Sequence, residues 1–430
     1  MVDELRQTRM LNQLHCVKLP CLDCFNLDQL IFNTSQFAME STLVKAVRDC
    51  VKRIVYNSFR LEYSGYHFPL LMISYDYKRN DHTVLWKNTK DIFNEYDEIT
   101  VSECGINRNN LLDLKSIAVS FGNFVRIFNR IRHVGNFKET LYLAGRLTEL
   151  ARMDNMLSRW NIRNSVSLIF FDGGNYENLI IQHLKKLGIV TVTMQHGQPV
   201  FHGMDTDRIN QTIILNFSSD YVLVTGEYSK KQFMLGGVPK EAIGVVGSCR
   251  DIARYAESNS NSFSVFLDCP TYESSVKDNR KMIDIAEKIA KRKGFRYWIK
   301  LHPQDSEDKY YDLKLEYGEF TPQRKNIVET LEKSKFAILH ASGVYLDIIG
   351  NGIKAYCMKT DFDFPLVEFD DDKFVTLEEL ELKLKNWENK NVNEKKEYMD
   401  EIVKYYLSPE NSPQRHKKFI EDLIKIKAVE

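Results

Sequence analysis

The chain has 430 residues, 43% hydrophobic and 27% charged, with 59 basic and 59 acidic side chains. This length predicts two or three domains, each large enough for its own core. Because the charges balance and no long block carries one sign, bulk electrostatic binding to nucleic acid or to an anionic membrane is not indicated, and any anion must be bound locally. No run approaches the roughly 20 apolar residues of a membrane span.

The first residues and the cysteines indicate the compartment. Residues 1–7 include acids and no long apolar core, so we expect no signal peptide. Eight cysteines are scattered through apolar segments, and Cys21 and Cys24 form the only close pair. A zinc site would need a second such pair. We therefore expect reduced, mostly buried thiols, no metal site and a cytoplasmic protein.

The first 160 residues are predicted to be mainly helical. Apolar residues recur at helical spacing around residues 43–51 and through residues 110–160, a stretch with no proline. Residues 68–75 are mostly apolar and predict one short buried strand.

After residue 165 the pattern changes to short apolar strands separated by helices, which predicts parallel sheets with right-handed crossovers. The strands are predicted at 166–171, 189–194, 221–224 and 243–246 in a first series, and at 263–267, 297–301, 336–340 and 355–358 in a second. Two series joined near residues 240–262 predict two Rossmann-like domains facing each other across a cleft. We expect an amino-terminal domain over 1–245, a second domain over 246–408, and a final helix over 409–430 that packs back on the first domain.

Polar groups that a packed core does not require follow four of these strands. They are Asp172-Gly-Gly, Gln195-His-Gly, Lys300-Leu-His-Pro and His340-Ala-Ser-Gly. Each alone is a common turn or loop sequence. Ligands of open α/β sheets bind outside the carboxyl ends of strands, so four such ends in order favour a functional site.

The second series carries the groups best suited to an anion. Lys300 and His302 stand two residues apart, and Pro303 ends the strand because proline cannot donate to a sheet. Ser342 and Gly343 stand where a helix begins, so free N–H groups there could hold a phosphate, although a plain N-cap serine is the alternative. Asp347, one turn further, could accept hydrogen bonds from a ribose.

These residues resemble a known group. Residues 224–251, followed by His302-Pro303 and the Ser342 segment, are similar to nucleotide-sugar transferases of GT-B fold. Asp172-Gly, His302-Pro303 and Ser342 resemble the acidic-Gly, HP and Ser motifs of bacterial sialyltransferases and polysialyltransferases. Gln195-His-Gly197 is closer to capsule Kdo transferases and to teichoic-acid CDP-glycerol glycerophosphotransferases. The resemblance covers about residues 165–425, and it departs from the sialyltransferases in having one acid where they usually have two.

The resemblance implies a role for each matching residue. His302 would contact the donor phosphate and stabilise the departing nucleotide, and either Asp172 or His196 would take the proton of the acceptor hydroxyl. The donor side would comprise Gly247, Ser248, Arg250, Lys300, Pro303, Ser342, Gly343 and Asp347. No paired carboxylates stand at a strand end to hold a metal, so we expect metal-independent transfer in which cations and helix N-termini neutralise the leaving phosphate.

We therefore expect an α/β enzyme of GT-B fold that transfers a sugar from a nucleotide donor, with a CMP-sugar favoured, to a surface or capsular glycan, without a further cofactor. The alternatives are a CDP-polyol phosphotransferase, a sugar-nucleotide epimerase, which shares the fold but would need carboxylates on both walls of the cleft, and a non-catalytic GT-B partner subunit. The expected partners are the nucleotide sugar and the glycan acceptor. Peripheral association with the inner face of the membrane stays open.

Overall fold

The computed structural model describes most of the chain, and the chain divides into two compact units. The described residues are 2–22, 25–75, 80–105, 107–195, 197–201, 218–250, 252–268, 273–303, 305–322, 325–340, 342–360 and 367–429. The first unit comprises Met1–Val224, Lys230–Val246 and Asn411–Glu430, and the second comprises Thr225–Ser229 and Gly247–Glu410.

The first unit is built on a sheet with one antiparallel edge. Its strands are β1 (Phe59–Tyr63), β2 (Leu70–Tyr75), β3 (Asp97–Glu103), β4 (Val166–Ile169), β5 (Val190–Met194), β6 (Tyr221–Val224) and β7 (Ile243–Val245). Among the described residues this sheet has seven strands, in the order β1-β3-β2-β4-β5-β6-β7. β1 pairs with β3 antiparallel, and the other pairings are parallel.

Helices cover the faces of this sheet. They are α1 (Val2–His15), α2 (Leu27–Leu30), α3 (Phe32–Glu40), α4 (Leu43–Val55), α5 (Asn80–Lys90), α6 (Leu114–Ile131), α7 (Phe137–Leu157) and α8 (Asn175–Lys186), with a 3-10 turn at Arg108–Asn110. The helical stretch predicted over 110–160 is two helices, because Asn136 begins α7 with a capping box that includes Glu139.

The amino-terminal part also contains two strands that the sequence did not predict. β1 and β3 alternate buried and exposed residues along their length. β1 is the edge strand of the sheet and β3 lies next to it. One face of each strand is less buried than the other, so neither has the apolar run that marks β2. The amino-terminal residues therefore form strands of the sheet as well as the predicted helices.

The second unit is built on a wholly parallel sheet. Its strands are β8 (Ser262–Phe266), β9 (Arg296–Lys300), β10 (Gly318–Phe320), β11 (Phe336–Leu339), β12 (Lys354–Met358) and β13 (Lys373–Phe374). Over the described residues the order is β10-β9-β8-β11-β12-β13, and each pairing is parallel. The prediction of two parallel α/β domains is thus confirmed.

The remaining helices include a long terminal one. They are α9 (Glu227–Leu235), α10 (Glu273–Lys293), α11 (Ile327–Leu331), α12 (Val344–Gly350), α13 (Leu377–Asn389), α14 (Val392–Leu407) and α15 (Ser412–Val429), with 3-10 turns at Lys240–Ala242, Glu307–Tyr310 and Asp370–Asp372. α15 belongs to the first unit, where Phe419 packs edge-on against Tyr221 of β6 with ring centroids 5.7 Å apart. Over the described residues, no helix is both long and apolar enough to cross a membrane.

The expected burial of the cysteines is only partly correct. The six cysteines within the described residues are free thiols, of which two are buried: Cys50 and Cys357. Cys16 is exposed, and the other three are half-buried.

A buried carboxylate joins three helices of the first unit to the residue that precedes β1. Glu149 of α7 is fully buried, and its carboxylate accepts hydrogen bonds from Arg53, Ser58, Arg146 at 2.6 Å and Tyr176 at 2.9 Å. Burial opposes ionisation, but the charges of Arg146 and Arg53 and the hydroxyl donors outweigh it and lower the pKa of Glu149 to about 2.

Replacing this carboxylate should leave two buried guanidinium groups without their counter-ion. We expect Glu149→Gln to lower the free energy of unfolding by about 3–5 kcal/mol at neutral pH, measured by urea denaturation. The ordinary pKa of this group is 4.5 and its folded pKa is about 2, so its contribution is present above pH 4.5 and is lost as the pH falls towards 2.

The matched control is Glu62→Gln, which removes an exposed partner of Arg60 in the same unit. It should change stability by less than about 1 kcal/mol. Equal effects of the two substitutions would contradict a structural role for Glu149.

Candidate functional site

The carboxyl ends of three adjacent strands bring acidic groups together in the first unit. β2 pairs in parallel with both β3 and β4, so the three strands end at one edge of the sheet. Tyr75 ends β2, Glu103 ends β3, Asp172 follows β4, and Glu177 lies in the first turn of α8. The Tyr75 hydroxyl donates to Glu103 Oε1 at 2.6 Å. We call these four residues the acidic edge.

Asp172 is held by the segment that precedes β6. Its Oδ2 accepts hydrogen bonds from the Ser218 N–H at 3.0 Å, the Ser219 N–H at 2.8 Å and the Ser219 hydroxyl at 2.8 Å. Asn178 Nδ2 donates to the Asp172 carbonyl at 3.0 Å. Burial raises the pKa of Asp172, although these donors act in the opposite direction. The carboxylate thus already accepts from three donors, and its role as a base stays a prediction.

Glu177 has a pKa in the physiological range. Burial raises its pKa to about 7, and the negative charges of Glu103 and Asp172 act in the same direction. Its carboxyl group lies directly over Gly174, where a Cβ atom would overlap it. Gly174 is thus required for the position of Glu177, and the group can both give and take a proton near neutral pH.

The other predicted base, His196, lies outside the described residues. Its neighbour Gln195 is buried, and the Gln195 N–H donates to the Leu223 carbonyl of β6 at 2.9 Å. The strand end predicted at this position is therefore present, and the role of His196 stays a prediction.

The second unit has a different set of polar groups at its sheet edge. β8, β11 and β12 are neighbours in the parallel sheet, and they lead to Asp268, His340 and Thr360. His340 Nδ1 lies 2.8 Å from Asp268 Oδ2, and its Nε2 lies 2.9 Å from Thr360 Oγ1. A carboxylate can only accept, so Nδ1 donates to Asp268, while Nε2 contacts the threonine hydroxyl. We call these residues the Asp–His–Thr chain.

His302 and Lys300 end the neighbouring strand β9. His302 is half-buried, and its carbonyl accepts from the Asp305 N–H at 2.8 Å, while Pro303 is exposed in the turn. The Lys300 ammonium is buried and donates to the carbonyls of Pro322 at 3.2 Å and Lys325 at 2.7 Å. Burial lowers the pKa of Lys300. Lys300 therefore stabilises the loop that follows β10. Its contact with a phosphate stays a prediction.

Ser342 and Gly343 do stand at the start of a helix, as predicted. α12 begins at Val344 and has 7 residues, and the Ser342 hydroxyl accepts from the Val344 N–H at 3.4 Å. This hydrogen bond resembles the one that an ordinary N-cap serine makes. Gly343 is exposed, and no atom lies within 4 Å of the position of a Cβ atom there.

Two of the predicted donor-binding residues form an ion pair. Arg250 Nη1 contacts Asp347 Oδ1, and both side chains are partly exposed. Gly247 has a φ of 88°, a conformation that favours glycine. The Ser248 hydroxyl accepts from the Arg250 N–H at 3.1 Å, so the 247–250 turn positions the guanidinium beside α12.

Sequence reasoning missed Glu177, Glu103 and the partners of His340. Glu177 follows Asp172-Gly-Gly by three residues, and an acid at that position of a helix is normally assigned to the helix terminus. The link between Asp268 and His340 spans 72 residues, and no local pattern reports it. Within the described residues, no group of three or more His, Cys, Asp or Glu side chains is arranged to hold a metal ion.

The fold resembles that of solved structures. No protein-family model and no curated protein matches the sequence. The UDP-N-acetylglucosamine 2-epimerase from Rickettsia bellii superimposes with a TM-score of 0.50 at 14% identity, over 84% of this chain and 96% of that one. S. aureus MnaA with UDP gives 0.50 at 9%, over 83% and 97%. A candidate UDP-N-acetylglucosamine 2-epimerase from Listeria monocytogenes gives 0.52 at 11%, over 83% and 96%. At these identities the likeness shows a GT-B-like fold.

The pKa of Glu177 can be tested without knowing the reaction. Because its folded pKa, about 7, lies above its ordinary value of 4.5, ionisation of Glu177 destabilises the fold as the pH rises from 4.5 through 7. We expect Glu177→Gln to match the wild type near pH 4.5 and to exceed its stability above pH 7, by up to about 3 kcal/mol, in urea denaturation.

The control is Glu241→Gln, at an exposed glutamate of the same unit. It should leave the pH dependence of unfolding unchanged. A Glu177→Gln curve parallel to the wild-type curve across this range would rule out a raised pKa.

Proposed function

We propose that this chain is an enzyme that acts on a nucleotide-activated sugar. The observation that carries the proposal is the Glu177 carboxyl, buried at a strand-end edge with a pKa of about 7. A buried group of this kind costs stability, and such groups concentrate where a proton is transferred. The likeness of the fold to proteins described as UDP-N-acetylglucosamine 2-epimerases supports the substrate class.

The second unit would hold the nucleotide. The Arg250–Asp347 pair offers a cation for a phosphate and a carboxylate for a ribose at the same place. His302 would stabilise the phosphate that leaves, with Ser342 and Gly343 beside it. The Asp–His–Thr chain would position the Thr360 hydroxyl, because His340 is fixed from both sides.

Epimerisation of the sugar is the reaction that the comparisons favour. It needs carboxyl groups that remove a proton from carbon and return one, and the acidic edge supplies Glu177 with Asp172 and Glu103 nearby. The proteins of similar fold with TM-scores of 0.50 and above include a UDP-N-acetylglucosamine 2-epimerase.

Glycosyl transfer is the second candidate, favoured by the sequence motifs. Asp172-Gly, His302-Pro303 and the Ser342 segment resemble those of surface-glycan transferases. In this reaction Glu177 or Asp172 would accept the proton of the acceptor hydroxyl, and a CMP-sugar would be the donor.

Nucleotide binding can be tested with paired variants. Titration calorimetry with UDP, UMP, CDP and CMP should show binding of at least one nucleotide. Arg250→Gln should weaken it on the order of 10-fold to 10²-fold, since it removes a charge-assisted contact.

The control is Arg280→Gln, which breaks an exposed Arg–Asp pair of the same unit, with Asp312 at 2.8 Å. It should leave the dissociation constant unchanged. Absence of binding by every nucleotide would overturn the proposal and favour a non-catalytic role.

The two reactions differ in their need for an acceptor. An epimerase should convert a UDP-sugar alone to its epimer in deuterium oxide, with solvent deuterium appearing at the inverted carbon. A transferase should release nucleotide quickly only when a glycan acceptor is present. In either case Glu177→Gln should lower the rate by at least about 10²-fold while nucleotide affinity persists.

The matched control for this assay is again Glu241→Gln, which should keep wild-type turnover. A Glu177→Gln rate within a few-fold of the wild type would remove Glu177 from the mechanism. Asp172→Asn and His196→Ala, assayed alongside, would then identify the base.

A further inference from the structure

Two neighbouring helices of the first unit expose apolar side chains. α4 and α6 pack against each other. A hydrogen bond joins the end of α4 to the segment before α6, since the Leu112 N–H donates to the Val55 carbonyl at 3.0 Å. Val44 of α4 is 78% exposed, and Leu114 and Phe121 of α6 are 86% and 57% exposed. Water-facing helix residues are normally polar, so this surface is unusual for a helix pair on a protein exterior.

Most of the exposed apolar residues follow helical spacing, so each helix carries an apolar stripe. They are Leu43, Val44, Val47 and Val51 on α4, and Leu114, Phe121 and Val125 on α6, with Phe137 at the start of α7. Val119 of α6 is also exposed but lies off this stripe. Another side of each helix is buried, by Ala46 and Cys50 on α4 and by Ile127 and Ile131 on α6. Each helix therefore has both a buried apolar side and a separate exposed apolar stripe.

Basic side chains flank these stripes. Apart from the buried Arg53, the two helices carry six cations and one acid, in a chain with equal numbers of both. The cations are Lys45, Arg48, Lys52, Lys115, Arg126 and Arg130, and the acid is Asp49. We call the stripes and these cations the α4–α6 face.

We propose that the α4–α6 face docks on an anionic lipid surface. An amphipathic helix with apolar residues on one side and lysine or arginine beside them lies in the headgroup region, where apolar groups enter the acyl boundary and cations meet lipid phosphates. The α4–α6 face thus provides both apolar side chains for insertion and cations for the lipid phosphates. This attachment is independent of which reaction the enzyme catalyses.

A second copy of the chain is a poorer occupant of the same face. In a two-fold interface the face would meet itself, which would bring Arg48, Arg126 and Arg130 of both copies together. Like charges across an interface oppose association. An anionic lipid surface has the complementary charge.

The test uses the full chain with vesicles of phosphatidylcholine alone, or of phosphatidylcholine mixed with phosphatidylglycerol. We expect co-sedimentation with the mixed vesicles, weakened by salt. The triple variant Arg48→Gln, Arg126→Gln and Arg130→Gln should lower the apparent affinity by about 10²-fold. Val44→Ser with Phe121→Ser should also weaken binding, and circular dichroism should show an unchanged fold because both residues are exposed.

The control variants remove the same number of positive charges, or of large apolar side chains, from exposed residues of the second unit. They are Lys291→Gln, Lys314→Gln and Lys396→Gln for charge, and Tyr311→Ser with Leu382→Ser for apolar surface. They should bind as the wild type does. No binding to mixed vesicles, or binding that both sets reduce equally, would overturn the proposal. A dimer in size-exclusion chromatography that only the α4–α6 variants dissociate, without vesicle binding, would assign the face to self-association.

Discussion

Parallel strand pairing is the constraint on which both sets of polar groups depend. Among the strands of the two sheets in the described part of the chain, only the β1–β3 pairing is antiparallel, so the strands other than β1 end at one edge of their sheet. Residues far apart in sequence then become neighbours without any local signal, as Asp268 and His340 do across 72 residues. The same pairing demands a crossover after each strand, which places a helix start such as that of α8 beside the strand ends.

Two buried glutamates of the first unit show how neighbours determine what a carboxyl group can do. Glu149 and Glu177 are both buried, yet the pKa of Glu149 is about 2 and that of Glu177 about 7. Glu149 faces Arg53 and Arg146, whose charges outweigh the cost of burial, so it holds helices α4, α7 and α8 together. Glu177 faces other acids. A charge so placed weakens the fold at neutral pH, which is a reason to assign it a chemical role.

The sequence contains enough information for the fold class and for most strand ends. Continuous apolar runs such as β4 and β11 are buried on both faces, so the run itself marks the strand. β1 and β3 are open on one face, and their alternating polar residues hid them inside a charged region. The strand-end residue Asp172 could be found from its glycine neighbours. Its donors, Ser218 and Ser219, could not, because only tertiary structure brings them to it.

A net charge of zero says little about how a protein meets a charged surface. Since α4 and α6 carry an excess of cations, the rest of the chain carries a matching excess of acids. At physiological ionic strength the field of a charge fades within about 8 Å, so a membrane senses the nearest face and not the total. Bulk attraction is therefore absent, while the α4–α6 face still attracts anionic lipid at contact.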